Sequence, residues 1–177
     1  RLKDRLRARL YPINIARHTT ELVPRAGPEG TLEVLALDLP TTVRTVSKAE
    51  AKAWGLDTDE LLDIGRRNLR ASRRLAESTF SLELGTLLRV LSGDPFYTAS
   101  HGLVLDDYLA PDLRHGVLVG MPKRDVLILH EIRDMGMMEA VTAMMQIIVG
   151  MHRDGPGSLS PKRPRILRAV RGAVVSA

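Results

Sequence analysis

The stretch Gly116-Val117-Leu118-Val119-Gly120-Met121-Pro122-Lys123-Arg124-Asp125-Val126-Leu127-Ile128-Leu129-His130 contains two apolar runs, Gly116 to Met121 and Asp125 to His130. Runs of this length bounded by turn residues read as strands. Pro122-Lys123 lies between them, and a proline early in a turn fixes φ at about −65° and suits a tight hairpin. The pattern therefore predicts an antiparallel pair.

The same arrangement recurs upstream. Phe80 to Leu84 and Leu87 to Leu91 read as strands about Gly85, then a turn at Ser92-Gly93-Asp94-Pro95 leads to a helix over 98–109, closed by Leu109-Ala110-Pro111-Asp112. Earlier, Thr31 to Leu39 and Thr42 to Val46 are two strands interrupted at Pro40, the second rich in β-branched residues. Ser47 followed by Glu50 has the capping-box spacing and opens a short helix that stops near Gly55. Asp57 or Thr58 caps a longer helix over 58–77, with Leu61, Leu62, Ile64, Leu69 and Leu75 as its apolar face. Downstream, a helix from Asp134 to His152 closes at Gly155, Pro156 and Gly157, and Arg165 to Val170 reads as a last strand.

The fold class expected is α+β, with antiparallel strand pairs alternating with helices in three strand–strand–helix units. Leu2, Leu6 and Leu10 at spacing four predict a basic amphipathic helix over 1–17. Residues 18–30, with Pro24, Gly27, Pro28 and Gly30, read as a loop. A single α+β domain is expected over 31–161, followed by a basic segment, 162–177, that is partly a strand of the same domain.

The chain has 177 residues and no cysteine, which excludes disulfides, thiolate zinc sites and cysteine nucleophiles. No apolar run approaches the roughly 20 residues of a membrane helix, and no apolar signal core follows Arg1, so a cytoplasmic protein is expected. The net charge of +5 is unevenly spread. Residues 1–17 carry +5, residues 162–177 carry +5, and the stretch between them carries −5. A basic footprint over the whole body, as nucleic-acid binders show, is therefore absent.

Several strings taken in order resemble a bacterial domain-of-unknown-function family, the one that includes the Bacillus protein YtpQ. Val119 to Ile128 is similar to its strand, proline, arginine–aspartate, strand element. Gly93-Asp94-Pro95-Phe96-Tyr97-Thr98-Ala99-Ser100 resembles its glycine-led turn entering a helix. Trp54-Gly55-Leu56 with Asn68-Leu69-Arg70 resembles its helix pair, and Ser158-Leu159-Ser160-Pro161 the segment after its last long helix. The likeness spans residues 31–168. Gly65, where a helix-favouring residue is expected, and the arginine-rich tail depart from it. The resemblance implies a fold boundary and carries over no catalytic residue, cofactor or metal.

Candidate chemistry is sparse. His130-Glu131 begins like a zinc-protease motif, but Asp134 stands where the second histidine belongs. A spatial cluster of His101, Asp106, Asp107 and His130 would be needed for metal or acid–base work. Ser100 beside His101 lacks the glycine–x–serine–x–glycine elbow of hydrolases. No phosphate-cradling loop is present. Arg66, Arg70, Arg73 and Arg74 share a helix face by spacings of three and four, a stripe suited to an acidic partner or phosphates. Arg124 and Asp125, beside the hairpin turn, are a further binding candidate, since a guanidinium forks onto carboxylate or phosphate. With six aromatic residues in all, no base-stacking platform is formed. Met137, Met138, Val141, Met144, Met145, Ile148 and Met151 follow helical spacing, as a core or a partner surface would.

The expectation is a protein-binding or adaptor domain without catalytic residues, metal or cofactor, taking a protein partner or forming a homo-oligomer. The alternatives are an enzyme, such as a hydrolase, using the His/Asp cluster, and a nucleic-acid-associated protein acting through its arginines.

Overall fold

The computed structural model describes residues 2–17, 20–28, 30–153, 166–170 and 173–176. Contacts divide the chain into two compact units, Arg1–Arg73 and Arg74–Ala177. The protein is of mixed α+β class, and its strand pairs are antiparallel.

In the first unit, a 3-10 turn (Lys3–Arg5) leads into β1 (Leu6–Pro12), a second 3-10 turn (Ile13–Arg17), β2 (Pro24–Ala26), β3 (Thr31–Asp38) and β4 (Val43–Thr45). Helices α1 (Lys48–Ala53) and α2 (Thr58–Arg70) follow. β3 is central, with β1 along one side and β2 and β4 on the other.

The expected N-terminal helix over 1–17 is corrected to a turn and a strand. A spacing of four fits both a helix and the two-residue period of a strand. Ala8, between Leu6 and Leu10, settles the period: all three are buried, and β1 pairs with β3 from Leu6↔Leu37 to Pro12↔Thr31. The expected loop over 18–30 contains β2. Since β1 and β2 belong to the sheet of β3, the body does not begin at residue 31.

Ser47 and Glu50 form the capping box, with Ser47 Oγ accepting from Glu50 N–H at 3.2 Å and Glu50 Oε2 accepting from Ser47 N–H at 3.0 Å. Asp57 caps α2. That helix stops at Arg70, not at 77, where Ser72 Oγ–H donates to the Leu69 carbonyl at 2.6 Å. Leu61, Leu62 and Ile64 join Leu6, Leu35, Leu37 and Val46 in the core of this unit. Gly65 explains its own departure from helix preference. A Cβ there would lie 2.7 Å from Ala8 N and 2.9 Å from Arg7 C, so α2 crosses the β1 backbone where only glycine fits.

The second unit has β5 (Ala76–Ser81), β6 (Leu87–Ser92), a 3-10 segment (Ala99–Asp107), β7 (Val117–Lys123), β8 (Val126–Glu131), α3 (Met137–Arg153), β9 (Ile166–Val170) and β10 (Ala173–Ser176). The strands make one six-stranded sheet in the order β10-β9-β7-β8-β6-β5. The three expected strand–strand–helix units are thus not independent: β3 and β4 lie in one sheet, β5 to β8 share the other, and the helix expected over 98–109 is a 3-10 segment interrupted at Val104 (φ −133°, ψ 37°).

The β7–β8 hairpin forms as expected but turns at Arg124-Asp125, leaving Pro122 inside β7 where the register shifts between Gly120 and Lys123. A proline is tolerated in a strand at such an irregularity. Helix α3 packs Ala140 and Met144 onto Leu88, Leu118 and Ile128. Gly120 makes room for it, since a Cβ there would lie 3.1 Å from Met144 Cε and 3.2 Å from Ile148 Cδ1. The string Ser158 to Pro161 and the basic positions Lys162, Arg163, Arg165 and Arg171 lie outside the described residues.

Candidate functional site

Alternation along the second sheet sorts its polar residues by face. Arg89 pairs in register with Leu129, so Arg89, Leu129 and, two residues on, Glu131 point to one side. On that side Arg89 donates from Nε and Nη2 to Glu77 at 2.6 and 3.1 Å, from Nη1 to Glu131 Oε1 at 3.1 Å, and from Nη2 to the Tyr108 carbonyl at 2.8 Å. Arg133 extends the chain, donating to Glu131 Oε2 at 2.8 Å and to Asp112 at 3.3 Å. The hydrogen bonds from Arg89 hold the Glu77 carboxyl below its ordinary range, and those from Arg133 do the same for Asp112. Each nitrogen of Arg89 donates within the fold, so it works as a clamp between β5, β6, β8 and the segment after the 3-10 helix.

Tyr108 links this clamp to His101. Its hydroxyl lies 2.9 Å from His101 Nδ1 and 3.4 Å from the Leu75 N–H, and the two rings meet edge to face at 5.6 Å. Burial pushes the His101 pKa down and the Tyr108 pKa up, so the pair is neutral at pH 7. The Arg74 guanidinium covers the Tyr108 ring at 5.0 Å. At the entry to the 3-10 segment, Asp94 Oδ1 accepts from the N–H groups of Phe96 and Tyr97 at 2.8 and 2.9 Å.

His130 is not brought to His101. It pairs with Leu118, so its ring lies on the face covered by α3, opposite Glu131. Its Nδ1 bonds the Leu87 carbonyl at 2.9 Å, and its buried Nε2 has no hydrogen-bond partner among the described residues. Asp106 and Asp107 stay near the end of the 3-10 segment. Among the described residues no group of three histidines or carboxylates is arranged to hold a metal.

The arginine candidates are dispersed. Arg66 is held by Glu33, Nε and Nη2 each donating at 2.7 Å. Arg70 ends α2 on an exposed turn, and Arg73 and Arg74 lie beyond it, also exposed. Arg124 and Asp125 form the exposed β7–β8 turn. The Arg124 guanidinium lies over Phe96 at 5.4 Å, and its carbonyl accepts from the Ala99 N–H at 2.9 Å.

One surface feature joins Met138, from the methionine face offered by the sequence as core or partner surface, to two residues the sequence reading did not single out. Leu84 is 85% exposed, Met135 81% and Met138 60%. Two contacts gather them: the Leu84 N–H donates to Glu139 Oε1 at 2.9 Å, and a Cβ on Gly136 would lie 2.7 Å from Thr86 Oγ1. The β5–β6 turn is thereby fixed against the start of α3, and these two neighbouring segments carry the three exposed apolar side chains. The signal in the sequence was a leucine at a hairpin tip, where polar residues are the rule. Arg89, a lone charge within Leu87 to Leu91, was the corresponding signal for the clamp.

No family model, curated protein or solved structure matches the chain. No helix among the described residues is long and apolar enough to cross a membrane.

Proposed function

We propose that this chain is a protein-binding domain rather than a catalyst, and that Leu84, Met135 and Met138 are the centre of its contact surface. The observation that carries the reading is the exposure of these three side chains on a backbone held in place by the Leu84–Glu139 bond. Clustered, rimmed apolar groups of this kind mark interaction sites, and methionine adapts to its partner's shape. Neighbouring charges, Glu83 on the turn and Asp134 before α3, supply an acidic rim. The polar groups near His101 support the same reading, because Arg89, Glu77, Glu131 and Tyr108 all have internal partners.

The test is a pull-down from lysate of the source cells, with and without nuclease treatment, using the wild-type chain and the Leu84→Asp/Met138→Asp variant. The expected result is a stoichiometric protein captured by the wild type and lost with the variant. A partner retained equally by both removes this surface. Capture that vanishes on nuclease treatment favours nucleic acid, with Arg70 and Arg73 as the exposed arginines to mutate next.

A further inference from the structure

The chain has no cysteine, so its seven methionines carry all of its oxidisable sulfur. A thioether reacts with a peroxide where the oxidant reaches the sulfur, so exposure ranks the seven. Met135 is 81% exposed and Met138 60%. Met144 and Met121 are buried, and Met137, Met145 and Met151 are half-buried. The two exposed methionines belong to one turn of backbone, in which the Met138 N–H donates to the Met135 carbonyl at 3.2 Å. The Leu84–Glu139 bond sets that turn against the tip of the β5–β6 hairpin.

We infer that Met135 and Met138 are a redox-sensitive pair, oxidised by hydrogen peroxide in the free chain ahead of the other methionines and switching the contact surface from apolar to polar. In each step a sulfur lone pair attacks one peroxide oxygen, an S–O bond forms and the O–O bond breaks. Sulfur is oxidised by two electrons and the peroxide is reduced to water, the departing hydroxide taking the proton of the transferred hydroxyl. The product is methionine sulfoxide, a polar and chiral side chain unsuited to an apolar contact. A sulfoxide reductase with two thiols as reductant returns the thioether, releasing one disulfide and one water.

Charge narrows the oxidant. Glu83 and Asp134, next in sequence to Leu84 and Met135, are exposed, and their carboxylates disfavour an anionic oxidant but leave a neutral peroxide unaffected. The core is spared, because Met144 is fully buried with Leu88, Leu118 and Ile128. The order of oxidation rests on exposure alone. Its consequence for binding rests on the contact surface of Leu84, Met135 and Met138.

The test is stepwise oxidation of the purified full chain with hydrogen peroxide, read by peptide mass spectrometry, circular dichroism and retention on a hydrophobic-interaction column. Sulfoxide should form at Met135 and Met138 about tenfold faster than at Met121 and Met144. Once the pair is converted, the circular dichroism spectrum should be unchanged and the retention reduced. Methionine sulfoxide reductases with dithiothreitol should restore the retention. Met135→Leu/Met138→Leu keeps the surface apolar without its sulfur, so its retention should withstand the same peroxide. Even oxidation of all seven methionines, or a loss of retention shared by the leucine variant, overturns the inference. Binding is read separately, by the same pull-down with wild type oxidised beforehand. A partner lost with Leu84→Asp/Met138→Asp but kept by the oxidised chain defeats the switch and leaves the surface standing. A partner kept by that aspartate variant removes the surface and with it the switch, while the order of sulfoxide formation still decides the modification site.

Discussion

Glu33, fully buried on β3, accepts from Arg66 Nε and Nη2 at 2.7 Å each, one on either carboxylate oxygen. Arg25 approaches the same carboxylate at 2.9 and 3.2 Å and reaches Asp63 at 3.0 Å. Its hydrogen bonds to Glu33 push the Arg25 pKa further up. A buried carboxylate is costly unless its lone pairs are filled, so the two guanidinium groups act here chiefly to supply Glu33 with hydrogen-bond donors inside the first unit.

Arg66→Ala should therefore destabilise the protein by about 2–3 kcal/mol, at or below the usual cost of breaking a buried pair because Arg25 remains. Arg67→Ala, one residue along on an exposed position of α2, should change stability by no more than about 0.5 kcal/mol. Urea unfolding of both variants checks the contrast. Equal effects would mean that Glu33 gains nothing specific from Arg66.

Gly65→Ala sets two effects against each other. Alanine is favoured over glycine inside a helix by about 1 kcal/mol. Against that, the new Cβ would meet backbone atoms of Arg7 and Ala8 below 3.0 Å, and backbone cannot swing aside as a side chain can. Overpacking of this kind costs about 1–3 kcal/mol, so the net change should be a loss, read as a lower thermal midpoint. A raised midpoint would show that α2 can lift away from β1 at little cost.

Much of the fold was legible where one period was unambiguous. The strand from Thr31, the Ser47–Glu50 box, a cap at Asp57 or Thr58 and the pairing of the two runs around Pro122-Lys123 follow from local chemistry, although the turn itself falls two residues later, at Arg124-Asp125. Leu2, Leu6 and Leu10 misled because a spacing of four is a multiple of the strand period and nearly one helical turn. The partner of Arg66 was illegible for a different reason: spacing places Arg66 and Arg70 on one face, but only the tertiary fold brings Glu33 to Arg66. The clamp of Arg89 was illegible for the same reason, since Glu77 and Glu131 reach it across strand pairings 12 and 42 residues apart in sequence.

The capping box of α1 should show as an acid-side loss of stability. The Arg44 guanidinium, donating at 2.7 and 3.0 Å, and the Ser47 N–H lower the Glu50 pKa from 4.5 to about 2. A carboxylate whose folded pKa is depressed contributes stability that is complete above its unfolded value. That contribution is lost as pH falls from about 4.5 towards 2. Glu50→Gln should flatten the stability profile over that interval and leave its slope near pH 7 unchanged. An unchanged acid limb would mean that Glu50 is ionised no more readily in the folded chain than in the unfolded one.

His101 should act in the same direction at higher pH. Burial disfavours its charged form, so its folded pKa lies below the ordinary 6.5, while the unfolded chain takes up the proton near that value. The unfolded state then binds more protons as pH drops below 6.5, and folding stability declines with it until the folded histidine titrates in turn. His101→Gln should remove that part of the slope. Tyr108→Phe deletes the hydroxyl that Nδ1 and the Leu75 N–H share, leaving buried groups short of a partner at a cost of about 1–3 kcal/mol. Following the His101 ring protons by NMR while titrating from neutral to acid pH reads the pKa directly. A midpoint at or above 6.5 would place the ring in contact with water or a carboxylate and defeat the prediction.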